Sequence, residues 1–114
     1  MSKWEFAKLY AKAHEAGCKA GDAHVPQPMY IRGYAPIADG LCGIAWINVK
    51  PGTSAFARWL KATGKARTDS YEGGVCIWVT DYNQSFAKKR AYANAFAQVL
   101  QEAGIRAMAN ARLD

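Results

Sequence analysis

The chain lacks any CxxC spacing, and its three cysteines, Cys18, Cys42 and Cys76, are an odd number far apart in sequence. This argues against a disulfide framework and a structural zinc site, and points to a reducing, cytosolic setting. Long apolar runs are also missing, and the opening Met1-Ser2-Lys3-Trp4-Glu5-Phe6 has no continuous apolar core of the signal-peptide kind. A soluble protein with no membrane partner is expected. The sequence contains no GxSxG, HExxH, Walker or Rossmann glycine pattern, so neither an enzyme nor a cofactor is expected. Asp69, Glu72 and Asp81 flank one strand-like stretch, but loop positions alone do not make a catalytic carboxylate pair. Acidic residues are in the minority, 9 against 15 Lys and Arg, for a net charge of +6. Residues 1–40 hold five basic and four acidic side chains, whereas 41–114 hold ten and five. The positive field therefore lies in the second part of the chain and favours anionic partners: nucleic acids, nucleotides or an acidic protein surface.

With 114 residues, 51% of them hydrophobic and 21% charged, the composition is that of one globular domain spanning 1–114. Three stretches, 43–50, 75–82 and 105–112, alternate small aliphatic residues with bulky, amide or basic ones. Strand side chains point to opposite faces with period two. Ala45, Ile47, Val49, Val75, Ile77, Val79, Ala107 and Ala109 thus share one face. Trp46, Asn48, Lys50, Trp78, Thr80, Tyr82, Arg106, Met108, Asn110 and Arg112 share the other, as does Cys76, which has no marks of an activated thiolate.

Residues 3–19 read as an amphipathic helix with Trp4, Ala7, Ala11, His14 and Cys18 at three-four spacing, widened by Phe6, Tyr10 and Ala13 and closed near Gly17 or Gly21. Val25-Pro26-Gln27-Pro28 interrupts regular structure, and 29–32 reads as a short edge strand. Pro51-Gly52 predicts a turn into a helix that carries Phe56, Trp59 and Leu60 on one side and ends at Gly64. Residues 64–74 read as a polar loop. Asp81, Asn83 and Ser85 are all competent N-caps for a helix reaching 103, with Phe86, Ala93, Phe96, Ala97 and Leu100 inward. Gly104 is placed for a left-handed cap, with Leu100 and Ile105 spaced for the contact of a Schellman turn. The expected fold is α+β, a single three- to four-stranded sheet with helices packed on one face in the order α-β-β-α-β-α-β.

The candidate binding surface is the second sheet face, with Trp46, Asn48, Lys50, Trp78, Tyr82, Arg106, Asn110 and Arg112. Indoles stack on bases, Lys and Arg meet phosphates, and amides supply directional hydrogen bonds. Two other uses of the face stay open: burial under the first helix, or pairing of two copies as a homodimer. No RNP-type strand signature is present. Lys50-Pro51-Gly52-Thr53-Ser54 is a second candidate, an anion site at Gly52, Thr53 and Ser54 where a helix begins, with an ordinary N-cap as the simpler reading. Lys88-Lys89-Arg90, early in the long helix, opposes the macrodipole and is expected on a solvated face. His14, Cys18 and His24 form an incomplete tetrahedral set, so no metal is expected.

Three blocks carry a likeness: Pro26-Gln27-Pro28-Met29, Asp39-Gly40-Leu41-Cys42-Gly43-Ile44-Ala45-Trp46-Ile47-Asn48-Val49-Lys50-Pro51, and Ala91-Tyr92-Ala93-Asn94-Ala95-Phe96 through Gly104-Ile105 to Ala111-Arg112-Leu113-Asp114. Together they resemble a family of small, uncharacterised proteins of tailed bacteriophages and prophages. The resemblance implies a phage context in the host bacterial cytosol and carries no activity or catalytic residues. In that context the expected function is a non-catalytic accessory protein that inhibits a host defence system, as an anti-CRISPR-like blocker or by sequestering a nucleotide. The basic face argues against an acidic DNA mimic. The alternative is a single-stranded nucleic-acid-binding protein in phage replication or recombination.

Overall fold

The computed structural model describes residues 1–24, 42–82 and 85–113. Along them run α1 (Lys3–Ala23), β1 (Gly43–Lys50), α2 (Ala55–Ala62), β2 (Arg67–Thr68), β3 (Val75–Trp78), α3 (Phe86–Glu102) and β4 (Arg106–Leu113). The strands form one antiparallel sheet in the order β2-β3-β1-β4. The architecture is α+β, as the alternating stretches predict. The strand expected at 29–32 lies outside the described residues, and a short strand in the stretch read as polar loop, β2, pairs with β3 instead.

Alternation along β1 decides the layering. Ala45, Ile47 and Val49 are fully buried, and Val75, Ile77, Val79 and Ala107 join them on the same side. On that side α3 packs against β1 and β4, and α1 packs against α3. Small residues in both layers, Ala45 and Ala107 in the sheet and Ala93 and Ala97 on α3, let the helix come close. The larger groups then fill the space between helices. Phe6 lies 5.4 Å from Phe56 and Tyr10 lies 5.4 Å from Phe96, ring centre to ring centre, while Phe56 and Trp59 stack at 5.8 Å. Among the described residues no helix is long and apolar enough to cross a membrane.

Helix ends follow local chemistry. Ser2 and Glu5 form a reciprocal capping box on α1, and Ser54 and Ser85 cap α2 and α3. Of the three caps proposed for α3, Ser85 is used; Asn83 lies outside the described residues. At Gly104, φ is +84° and the Ile105 amide donates to the Leu100 carbonyl at 2.9 Å, the closing bond of the expected Schellman turn. Gly64 closes α2 in the same way, with Lys65 donating to Leu60 at 2.9 Å.

Three expectations are corrected. First, α1 does not stop at Gly17 or Gly21 but passes through both to Ala23. A Cβ on Gly17 would stand 2.6 Å from the Tyr92 ring and one on Gly21 would stand 2.5 Å from the Tyr82 ring, so these glycines admit aromatic rings against the helix. Second, the buried stripe of α1 is accordingly Phe6, Ala13, Gly17 and Gly21, with Leu9 and Tyr10 half-buried, whereas Trp4, Ala7 and Ala11 are exposed. Third, Lys88-Lys89-Arg90 is not wholly solvated: Lys89 is buried, Lys88 lies over the Tyr82 ring at 5.8 Å, and Arg90 alone is exposed.

Replacing glycine by leucine inside a helix ordinarily raises helix propensity. Gly17→Leu is nevertheless expected to lower the unfolding free energy by about 1–3 kcal/mol, because the side chain must displace Tyr92. The exposed Ala11→Leu should change it by no more than about 0.5 kcal/mol. Urea denaturation of both variants checks the pair.

Candidate functional site: the open sheet face

Opposite the helices, the sheet presents the second set of side chains. Trp46 and Trp78 are direct cross-strand partners with ring centres 5.1 Å apart and planes tilted by 47°. On the other flank Trp46 pairs with Asn110, Lys50 pairs with Arg106, and Ile44 pairs with Arg112. Trp46 is half-buried and Trp78 is 44% exposed; Arg106, Met108 and Arg112 are exposed. Since α1 packs on α3, it does not cover this face.

An open groove of about 520 Å³ runs beside the indoles, with Arg67, Tyr71 and Arg112 among the side chains around it. Arg67 reaches it because β2 pairs with β3 in the register Arg67 to Cys76, placing the guanidinium on the Trp side. Neither Arg67 nor Tyr71 is foreseen from alternation, since a two-residue strand has no period to detect. Tyr71 is 98% exposed at the tip of the β2–β3 connection. Cys76 lies on this face, and burial pushes its thiol pKa upward.

The connection that forms the groove wall is anchored by Asn48. This residue was expected to meet a partner, but it is 3% exposed, and its amide nitrogen donates to Asp69 Oδ2 at 3.1 Å and to the Gly73 carbonyl at 2.9 Å. Both N–H bonds are therefore used inside the chain. Asp69 Oδ1 accepts the backbone amides of Tyr71 and Glu72, each at 3.0 Å. The Glu72 amide above all, with those of Tyr71 and Asn48 and the charge of Lys50, holds the Asp69 carboxyl below its ordinary pKa. Gly74, at φ +70°, completes the turn; a Cβ there would run into the Val49 carbonyl oxygen.

Tyr82 does not belong to the face. β3 ends at Trp78, and Tyr82 itself is left-handed at φ 71°, which carries the chain back toward the helices. Its hydroxyl donates toward the Cys18 carbonyl at 3.2 Å and Asp22 Oδ1 at 3.1 Å on α1. At the start of α2, Ser54 Oγ accepts the Ala57 amide at 3.2 Å, so the Gly52-Thr53-Ser54 segment acts as a conventional cap. His24 caps the end of α1, whereas His14 and Cys18 lie in its interior.

No family model matches this chain, and neither does any curated protein or solved structure.

Two outcomes follow from the Asn48–Asp69 anchor. Asn48→Ala removes both hydrogen bonds of a buried amide, each worth about 0.5–1.5 kcal/mol net, and should lower stability in denaturant unfolding accordingly, whereas half-buried Asn110→Ala should cost less. Because the Asp69 pKa is lowered on folding, its charge stabilises the fold above the ordinary carboxylate value, and this contribution is lost as pH falls through the lowered one. The stability difference between wild type and Asp69→Asn should accordingly be present at neutral pH and vanish in acid, as read by denaturation midpoints across pH.

Proposed function

We propose that this protein is a non-catalytic binding protein whose open sheet face takes single-stranded nucleic acid. The observation that carries this reading is the cross-strand pair of half-buried Trp46 and exposed Trp78, flanked by cations on both sides. Indoles offer flat faces to any base, and Arg67, Arg106, Arg112 and Lys50 can meet phosphates without reading sequence. Spacing favours a strand over a single nucleotide. Arg106 and Arg112 are six residues apart on β4, roughly 20 Å at about 3.3 Å per residue, the reach of several nucleotides. Asn110, between them and level with Trp46, is placed to hydrogen-bond a base edge.

A second reading is inhibition of a host defence system by capping one of its proteins, the setting implied by the resemblance to phage proteins. The mixed rim favours it: Asp69 and Glu72 stand beside Arg67 in the groove, and exposed Tyr71 and Met108 are residue types enriched at protein interfaces. A nucleotide-sequestering role and a homodimer through the indoles would use the same face.

Tryptophan fluorescence titrated with oligonucleotides and with free nucleotides tests the proposal. Binding of oligonucleotides should weaken steeply with salt, and Arg112→Ala should reduce the salt slope by about one. Trp78→Ala should lose about 1–3 kcal/mol of affinity, the worth of one stacked base. Salt-insensitive or absent oligonucleotide binding rejects the proposal. Saturation by free nucleotides alone supports the sequestering role instead, and elution at twice the monomer mass that reverts in Trp46→Ala supports the dimer.

A further inference from the structure

On the helix side, far from the indoles, three donor groups of different chemistry converge. His14 and Cys18 are one turn apart on α1, and Asp81 approaches from the turn that precedes α3. One ligating atom from each lies within 4.8 Å of the other two. Cys18 Sγ and His14 Nε2 are 3.5 Å apart. Zinc bonds of about 2.3 Å to sulfur and about 2.0 Å to nitrogen, opened to a tetrahedral angle, put those two ligand atoms about 3.5 Å apart. The pair thus already has the spacing of two corners of a zinc tetrahedron.

The surroundings support the same reading. His14 Nδ1 is 2.6 Å from the Tyr92 hydroxyl, and a ring that donates from Nδ1 turns its Nε2 lone pair toward Cys18. An outer hydrogen bond of this kind commonly orients a metal-binding histidine. The Tyr82 hydroxyl links the Cys18 carbonyl to the Asp22 carboxylate, which fastens the residue next to Asp81 against α1. Asp81 is exposed, leaving a path for an ion from solvent. His24, ten residues beyond His14, lies about 15 Å further along the helix axis and takes no part. Asp81 occupies the place that sequence spacing suggested for it.

We propose that His14 Nε2, Cys18 Sγ and an Asp81 carboxylate oxygen bind one zinc-type divalent ion, with a water molecule as fourth ligand. The sulfur and imidazole donors suit zinc or cobalt and disfavour magnesium and calcium, which take oxygen ligands. Bound there, the ion ties α1 to the β3–α3 turn and stabilises the folded chain by mass action. The site is independent of any ligand on the opposite sheet face.

Titration of the reduced full-length protein with cobalt(II) tests the proposal. One equivalent should produce a saturable thiolate-to-cobalt charge-transfer band with the intense visible absorption of four-coordinate cobalt, and zinc should displace it. The charge-transfer band should be lost in Cys18→Ser, and binding should weaken at least about tenfold in His14→Gln and Asp81→Asn. Tyr92→Phe, a change to a positioning residue, should keep the band while weakening affinity by about 10–100-fold. Circular dichroism establishes that each variant is folded, and protection of wild-type Cys18 from alkylation by zinc gives a second readout that needs no variant. Wild-type behaviour of Cys42→Ser, Cys76→Ser and His24→Gln supports the assignment. Absence of the band in wild type, its survival in Cys18→Ser, or its loss in His24→Gln overturns it.

Discussion

The aliphatic side of β1 is the constraint from which the rest of the structure follows. Ala45, Ile47 and Val49 have no exposure, and that dryness requires a partner layer. α3 provides it, with Ala93 and Ala97 small enough to let its backbone settle on the sheet. Once α3 occupies this side, α1 buries its own stripe against α3 and, at Phe6, against α2. The described helices thus gather on one side, and among the described residues Trp78, Arg106 and Arg112 stand exposed on the other. The proposed binding surface is in this sense a by-product of core packing: its residues face outward because their neighbours in sequence face the core.

Two polar devices tune this arrangement. On the open face, Asn48 gives up contact with any partner to hold Asp69 and Gly73, so the β2–β3 connection stands as a wall and carries Tyr71 outward. On the helix side, Tyr82 and Tyr92 lie against Gly21 and Gly17 and reach with their hydroxyls to Asp22 and His14. Burial pushes the phenol pKa of both tyrosines upward, so they stay neutral and act through hydrogen bonds rather than charge. The same tyrosines that pack α1 against α3 therefore set the orientation of the His14 ring and the position of the turn holding Asp81.

The proposed roles draw on the two sides separately. Stacking of bases needs rings with cations near them; the rings stand on β1 and β3 and the arginines on β2 and β4. Metal binding needs donors held at fixed distances, which a rigid helix and a fastened turn supply. A bound ion on one side leaves the geometry of the other unaltered unless α1 itself shifts, because the sheet lies between them.

The period-two alternation of 43–50, 75–82 and 105–112 determined the sheet faces except beyond Trp78, where β3 ends, and glycine placement determined the C-terminal ends of α2 and α3. These features are local: side-chain direction in a strand and the free carbonyls of a helix end depend on near neighbours alone. Tertiary structure decided what the glycines of α1 mean, since a glycine that stops a helix and one that admits a tyrosine ring are identical in sequence. It also decided that Asn48 faces inward to a loop, that Tyr82 leaves the sheet, that Arg67 joins the indoles through a two-residue strand, and that Asp81 rather than His24 meets His14 and Cys18. Each of these depends on contacts between residues distant in the chain, and neither periodicity nor spacing encodes such contacts.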